Sequence, residues 1–85
     1  MIFPTIHLNG TSKNSLLEDL EQAHLKVREA IEALANAGPN GRDYYPQGPN
    51  AYGIARDEHC TRMMKLQEVK NDLEALAENI SAQGR

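Results

Sequence analysis

Between positions 38 and 50 the chain reads Gly-Pro-Asn-Gly-Arg-Asp-Tyr-Tyr-Pro-Gln-Gly-Pro-Asn, and this stretch concentrates the groups able to do chemistry. Arg42 offers a guanidinium fork that grips phosphate or carboxylate through paired hydrogen bonds. Tyr44 and Tyr45 offer ring faces for stacking, worth about 1–3 kcal/mol per nucleobase. Asn40, Asp43 and Gln47 supply donors and acceptors for base or ribose edges. Arg56, early in the element that follows, adds positive charge near the same place, as do His7 or Asn9 if the N-terminal segment folds back. Three prolines restrict the backbone while the glycines permit tight turns, so the segment can be ordered. Together these residues suit a small anionic ligand that carries a ring. The bland alternative is that the tyrosines close one end of a helical bundle with their hydroxyls wet, while Arg42 and Asp43 form a local ion pair.

Other chemistries find less support. His24 and His59 fall on apolar seams that antiparallel pairing is expected to bring within roughly two turns of each other, with Cys60 beside His59. A four-coordinate metal site needs more donors than this, so the histidines read as hydrogen-bonded interface residues and no metal or other cofactor is expected. The glycines at 38, 41 and 48 match neither a P-loop nor a dinucleotide fingerprint. Cys60 is the only cysteine, and its acidic neighbours Asp57 and Glu58 suit a nucleophile poorly. Binding without catalysis is the expectation.

The elements that position these groups follow from periodicity. The spacing predicts an extended arm over residues 1–11, a helix over 12–37, a loop over 38–49 and a second helix over 50–83. Ile2, Pro4, Ile6 and Leu8 alternate against more polar neighbours until Asn9-Gly10 signals a turn. Thr11 or Ser12 can cap the first helix, and Ser15 through Glu18 also fits a capping box. Leu17, Leu20, His24, Val27, Ile31 and Leu34 then repeat at alternating spacings of three and four, which lays them along one face. Asn36-Ala37-Gly38-Pro39 stops the helix, with glycine suited to a left-handed cap. The second helix continues the same period through His59, Arg62, Leu66, Val69, Leu73, Leu76 and Ile80, beginning from Tyr52 and Ala55. It is the longer of the two by about two turns, and the arm is expected to cover that surplus, on its own hairpin or on a neighbour.

Eighty-five residues make one small domain that buries only about 60–65% of its unfolded surface. Hydrophobic residues are 40%, aromatic residues 5% and charged residues 25% of the chain, which gives a thin core for a monomer. With no obvious disulfide or metal to staple the fold, association with copies of itself is expected. The fold class is therefore all-α, an antiparallel two-helix hairpin with an extended N-terminal arm, assembling as an oligomeric helical bundle. A formal net charge of -3 argues against wrapping nucleic-acid polymer or an anionic membrane, because both need a basic surface. No apolar run approaches the roughly 20 residues of a spanning helix, and Met1-Ile2-Phe3-Pro4 lacks the charged start of a signal peptide, so a soluble, cytoplasmic protein is expected.

The stretch from Pro39 to Pro46, with Asn9-Gly10 ahead of the first helix, resembles small phage and prophage proteins of the helical-hairpin group that act as nucleotide sponges against CBASS and Thoeris immunity. The architecture of arm, two helices and polar loop is similar to that group over most of the chain. The resemblance implies a homo-oligomer in the host cytoplasm that binds and sequesters a small cyclic nucleotide signal without cleaving it. A second reading is a protein-interaction module, an adaptor or an inhibitor of a host protein, with Arg42 and the two tyrosines as interface anchors.

Overall fold

The first helix begins because Ser12 can cap it: the hydroxyl accepts the backbone N–H of Ser15 at 3.1 Å, satisfying one of the donors that a helix start leaves without a partner. In the computed structural model, which describes residues 1–84, helix α1 spans Lys13–Asn36. A single turn of helix, α2, spans Gly41–Tyr44, a 3-10 turn follows over Tyr45–Gln47, and helix α3 spans Ala51–Ala82. No strand occurs among the described residues. Both long helices agree with the expected ranges to within one residue at each end.

The stop after α1 is made differently from the expected glycine cap. Ala37 closes the helix with φ -93° and ψ 12°, its N–H shared between the carbonyls of Ala33 and Leu34. Among the described residues only Gly48 has positive φ, at 109°. Gly38 lies beside α3: a Cβ added there would stand 3.4 Å from Nε2 of His59, close to ordinary van der Waals contact.

Helices α1 and α3 pack antiparallel. The α1 face is the one its spacing specifies: Leu17, Leu20, His24, Val27, Ile31 and Leu34 are all half-buried. The α3 face departs from expectation at three places, the first being Tyr52, which is 37% exposed. His59, Met63, Leu66, Lys70, Leu73, Ala77 and Ile80 keep the alternating four and three spacing, whereas Arg62 is exposed and Val69 remains 45% exposed. Lys70 takes the place expected of Val69 because its methylene stem covers apolar surface while its ammonium reaches Glu74 Oε1 at 2.9 Å. Ile80 is the only fully buried side chain among the described residues, 1% exposed.

With 24 residues in α1 and 32 in α3, the second helix is longer by about 12 Å. The surplus lies at the turn end, beyond Gly38 and His59, and there the expected loop is folded: α2 and the 3-10 turn pack on the first turns of α3. The arm does not cover this surplus. It lies at the opposite, open end on its own hairpin, where the Gln83 side chain accepts from Ile6 N–H at 2.8 Å and donates to the Pro4 carbonyl at 2.8 Å. Lys13 closes the same end by donating to the carbonyls of Ser81 and Gln83, at 3.0 and 2.7 Å. The arm ends in the turn expected from Asn9-Gly10, with Gly10 N–H bonded to the His7 carbonyl at 3.2 Å.

Candidate functional site

The turn end carries the candidate site, and its geometry starts with Asn40. That side chain accepts the N–H of Arg42 at 3.2 Å and so caps α2, which spends the carbonyl oxygen expected to read a ligand edge. A one-turn helix then separates its residues by about 100° each. Tyr44 is half-buried, while Arg42, Asp43 and Tyr45 are exposed. No ion pair joins Arg42 to Asp43 among the described residues. The six expected site residues, Asn40, Arg42, Asp43, Tyr44, Tyr45 and Arg56, therefore share one end of the molecule without converging on one point.

Two hollows divide them. Tyr44 lines a small polar recess of about 140 Å³ together with Pro39, Glu58, His59 and Arg62. Tyr45, 84% exposed, lines a more open hollow with Pro46, Gly48 and Pro49. Arg56 belongs to neither: its Nε lies 3.8 Å from Asp57 Oδ1, and its guanidinium carbon sits 6.0 Å from the centre of the Tyr52 ring. That distance is the outer reach of a cation–π contact, so Arg56 is held along its own helix.

The polar recess is the chemically richer of the two. Glu58 stands one turn before Arg62, a spacing that favours ion pairing, yet no salt bridge joins them among the described residues. The guanidinium is thus free to meet an anion, with the imidazole of His59 and the phenol of Tyr44 as further polar partners. A volume of about 140 Å³ is well below the roughly 300 Å³ at which small-molecule sites begin to enclose a drug-sized ligand. Its size is that of a small polar group.

Arg62 and His59 were read from the spacing as positions of a helix seam, not as site residues. The signal that marks them is the interruption itself, because consecutive seam positions on an otherwise apolar face are both polar there. The expected approach of His24 to His59 does not occur. His24 Nε2 pairs across the hairpin with Glu74 Oε1 at 2.9 Å, and the chain runs fifteen residues of α3, about 22 Å, between His59 and Glu74. Glu21 and His24 have the Glu-x-x-His spacing of helical metal ligands, but no group of three or more potential ligand side chains able to hold a metal ion is present among the described residues.

At the His24 contact, one carboxylate oxygen of Glu74 accepts from both neighbours. The Lys70 hydrogen bond first, and the His24 hydrogen bond second, hold this carboxyl below the usual glutamate range. This is an interhelical latch and lies far from the polar recess. No helix among the described residues is long and apolar enough to cross a membrane.

Comparison with known proteins adds no relative: no protein-family model, curated protein or solved structure matches the chain.

Proposed function

We propose that this protein binds a small cyclic nucleotide signal at the turn end of the hairpin and sequesters it without cleaving it, as the resemblance to phage anti-defence sponges implies. The observation that carries the reading is the polar recess lined by Tyr44, Glu58, His59 and Arg62, where no salt bridge joins the guanidinium to Glu58 or to any other carboxylate among the described residues. Arg62 grips a phosphate, with Arg42 adding positive charge from the neighbouring turn. Tyr44 or Tyr45 stacks on the base that the small recess leaves outside. A weakly acidic chain that repels polymer still holds one or two phosphates through local arginines. The protein works as a homo-oligomer, which shields the base from water.

Calorimetry against cyclic dinucleotides, cyclic trinucleotides and cyclic ADP-ribose isomers tests the reading. At about 100 times its dissociation constant, a bound ligand stabilises the chain by about 2.7 kcal/mol, visible as a rise in Tm. Absence of binding across the whole panel overturns it. The ligand is recovered chemically intact after denaturation of the complex, and turnover would contradict sequestration.

The exposed face of Tyr45 beside Pro46 and Pro49 favours the second reading, a protein-interaction module, because an exposed aromatic next to rigid prolines resembles an interface anchor. Affinity capture separates the two: a stoichiometric protein partner lost in Tyr45→Ala, with no nucleotide bound, supports the module.

A further inference from the structure

The hairpin is electrically uneven along its 62 Å length. Among the described residues its open half carries Glu18, Asp19, Glu21, Asp72, Glu74 and Glu78 against Lys13, Lys70 and the N-terminal ammonium. Its turn half, over residues 25–69, balances its acids with Lys26, Arg28, Arg42, Arg56, Arg62 and Lys65. The acidic half also holds an open apolar groove of about 430 Å³ between α1 and α3, lined by Leu17, Leu20, Leu73 and Ala77 with Glu21 and Glu78 beside them.

The amount of surface left uncovered is that of an interface. A compact chain of 9.4 kDa exposes about 5,000 Å², whereas this one exposes 6425 Å², a surplus of roughly 1,400 Å². A stable protein–protein interface needs about 800 Å² from each partner.

We infer that a second copy of this chain covers the groove, laid antiparallel, so that the two hairpins form a four-helix bundle with their α1 helices side by side in full register. Charge selects the direction. A parallel copy stacks acidic half on acidic half, and like charges brought together across an interface cost several kcal/mol. An antiparallel copy sets each acidic half against a half whose charges balance, and so avoids that repulsion. Charge also selects the register. Glu21 and Arg28 lie two turns apart on one face of α1 and are equidistant from its midpoint, between His24 and Leu25. Each Glu21 therefore meets Arg28 of the second copy. The same register sets Leu17 opposite Glu32 and Leu20 opposite Glu29 of the second copy, with Ile31 and Val27 one and two residues away. It also carries the arm of one copy, where Ile2 is 93% and Leu8 90% exposed, towards the turn end of the other, where Ile54 and Tyr45 are exposed.

The inference rests on the self-association proposed above and is independent of nucleotide binding. Light scattering and sedimentation of the full chain at micromolar concentration, without nucleotide, are expected to give twice the 9.4 kDa chain mass. Glu21→Arg sets arginine against arginine, and Arg28→Glu sets glutamate against glutamate, so each is expected to weaken the dimer by about tenfold or more. Circular dichroism of each variant reports whether its helices are retained. Mixing the two single variants restores a dimer, because every cross-pair is then of opposite sign, and the double variant Glu21→Arg/Arg28→Glu restores it within one sequence. A monomer mass, a mass above two chains, single variants that dimerise as tightly as the parent, or a mixture and double variant that stay weak would each overturn the proposal. A dimer that binds no nucleotide leaves this inference standing and removes the ligand proposed above, while a monomer that binds nucleotide removes this inference and the self-association and leaves the ligand standing.

Discussion

The two ends of this hairpin hold themselves together by different means. At the open end, contacts between residues far apart in sequence dominate: Ile80 is fully buried, Gln83 ties down the arm, and Lys13 reaches the last carbonyls of α3. At the turn end, bonds are local: Asn40 caps the next turn, Tyr45 closes on Gly48, and Arg56 leans on Asp57 and Tyr52. The comparison teaches that the long-range contacts are concentrated at one end of the molecule. The end secured by local bonds is the one that leaves its arginines and Tyr45 exposed, and the proposed ligand site lies there.

Truncating Ile80, the one fully buried side chain among the described residues, should break the comparison most severely. Ile80→Ala removes a buried aliphatic group and is expected to cost about 2–5 kcal/mol, a large part of the stability of so small a domain, in urea or thermal unfolding. A loss below 1 kcal/mol would place the stabilising contacts elsewhere.

Gln83→Ala should follow in size. It removes the bonds to Ile6, Pro4 and Asn79, for about 1–2 kcal/mol, because the arm escapes to water and finds new partners there. Hydrogen exchange at the Ile6 amide should accelerate strongly while amides of α2 keep their rates. Equal acceleration at both ends would show that the two are coupled.

Gly48→Ala probes the turn end, where a φ of 109° disfavours any side chain. We expect a loss of about 1–2 kcal/mol, because φ 109° with ψ 174° is a region that side chains rarely adopt, and nothing stands within 4 Å of the added Cβ to enlarge it. Arg62→Ala sharpens the separation further: stability should stay within about 0.5 kcal/mol, as for exposed positions generally, while nucleotide binding is lost in calorimetry. Retained binding would return the phosphate contact to Arg42 or Arg56.

The smallest effect concerns the latch at Glu74. Its carboxyl is held below the usual glutamate range by Lys70 first and His24 second, so the folded state favours the ionised form. That contribution is present above the unfolded carboxyl's range and disappears as pH falls through the lowered value. Thermal scans of the parent and of Glu74→Gln should therefore differ at neutral pH and converge in acid. Parallel curves at every pH would show that Glu74 adds no pH-dependent stability.

Much of this arrangement was legible in the spacing of particular residues. The α1 face from Leu17 to Leu34, both helix ranges and the turn at Asn9-Gly10 follow from local rules, since contacts three and four residues apart specify them. The α3 face was legible only in part, because Val69 and Lys70 are neighbours and hydropathy favours valine. In the fold, the lysine stem covers the seam and its amine finds Glu74. The candidate site was legible as a place but not as a set of residues. Asn40 through Tyr45 lie at the turn end, yet only Tyr44 of that run lines the recess, with Glu58, His59 and Arg62 supplied from α3.

The sequence by itself determined two amphipathic helices, their limits and a polar, proline-rich turn between them, because each depends on neighbours within a turn or two of the chain. Tertiary structure decided three things that those neighbours leave open. It set the surplus of α3 at the turn end, folded α2 and the 3-10 turn onto it, and tied the arm to Gln83 across 77 residues of sequence. Such choices depend on where the chain travels, and periodicity describes only which face a residue occupies, not what that face will meet.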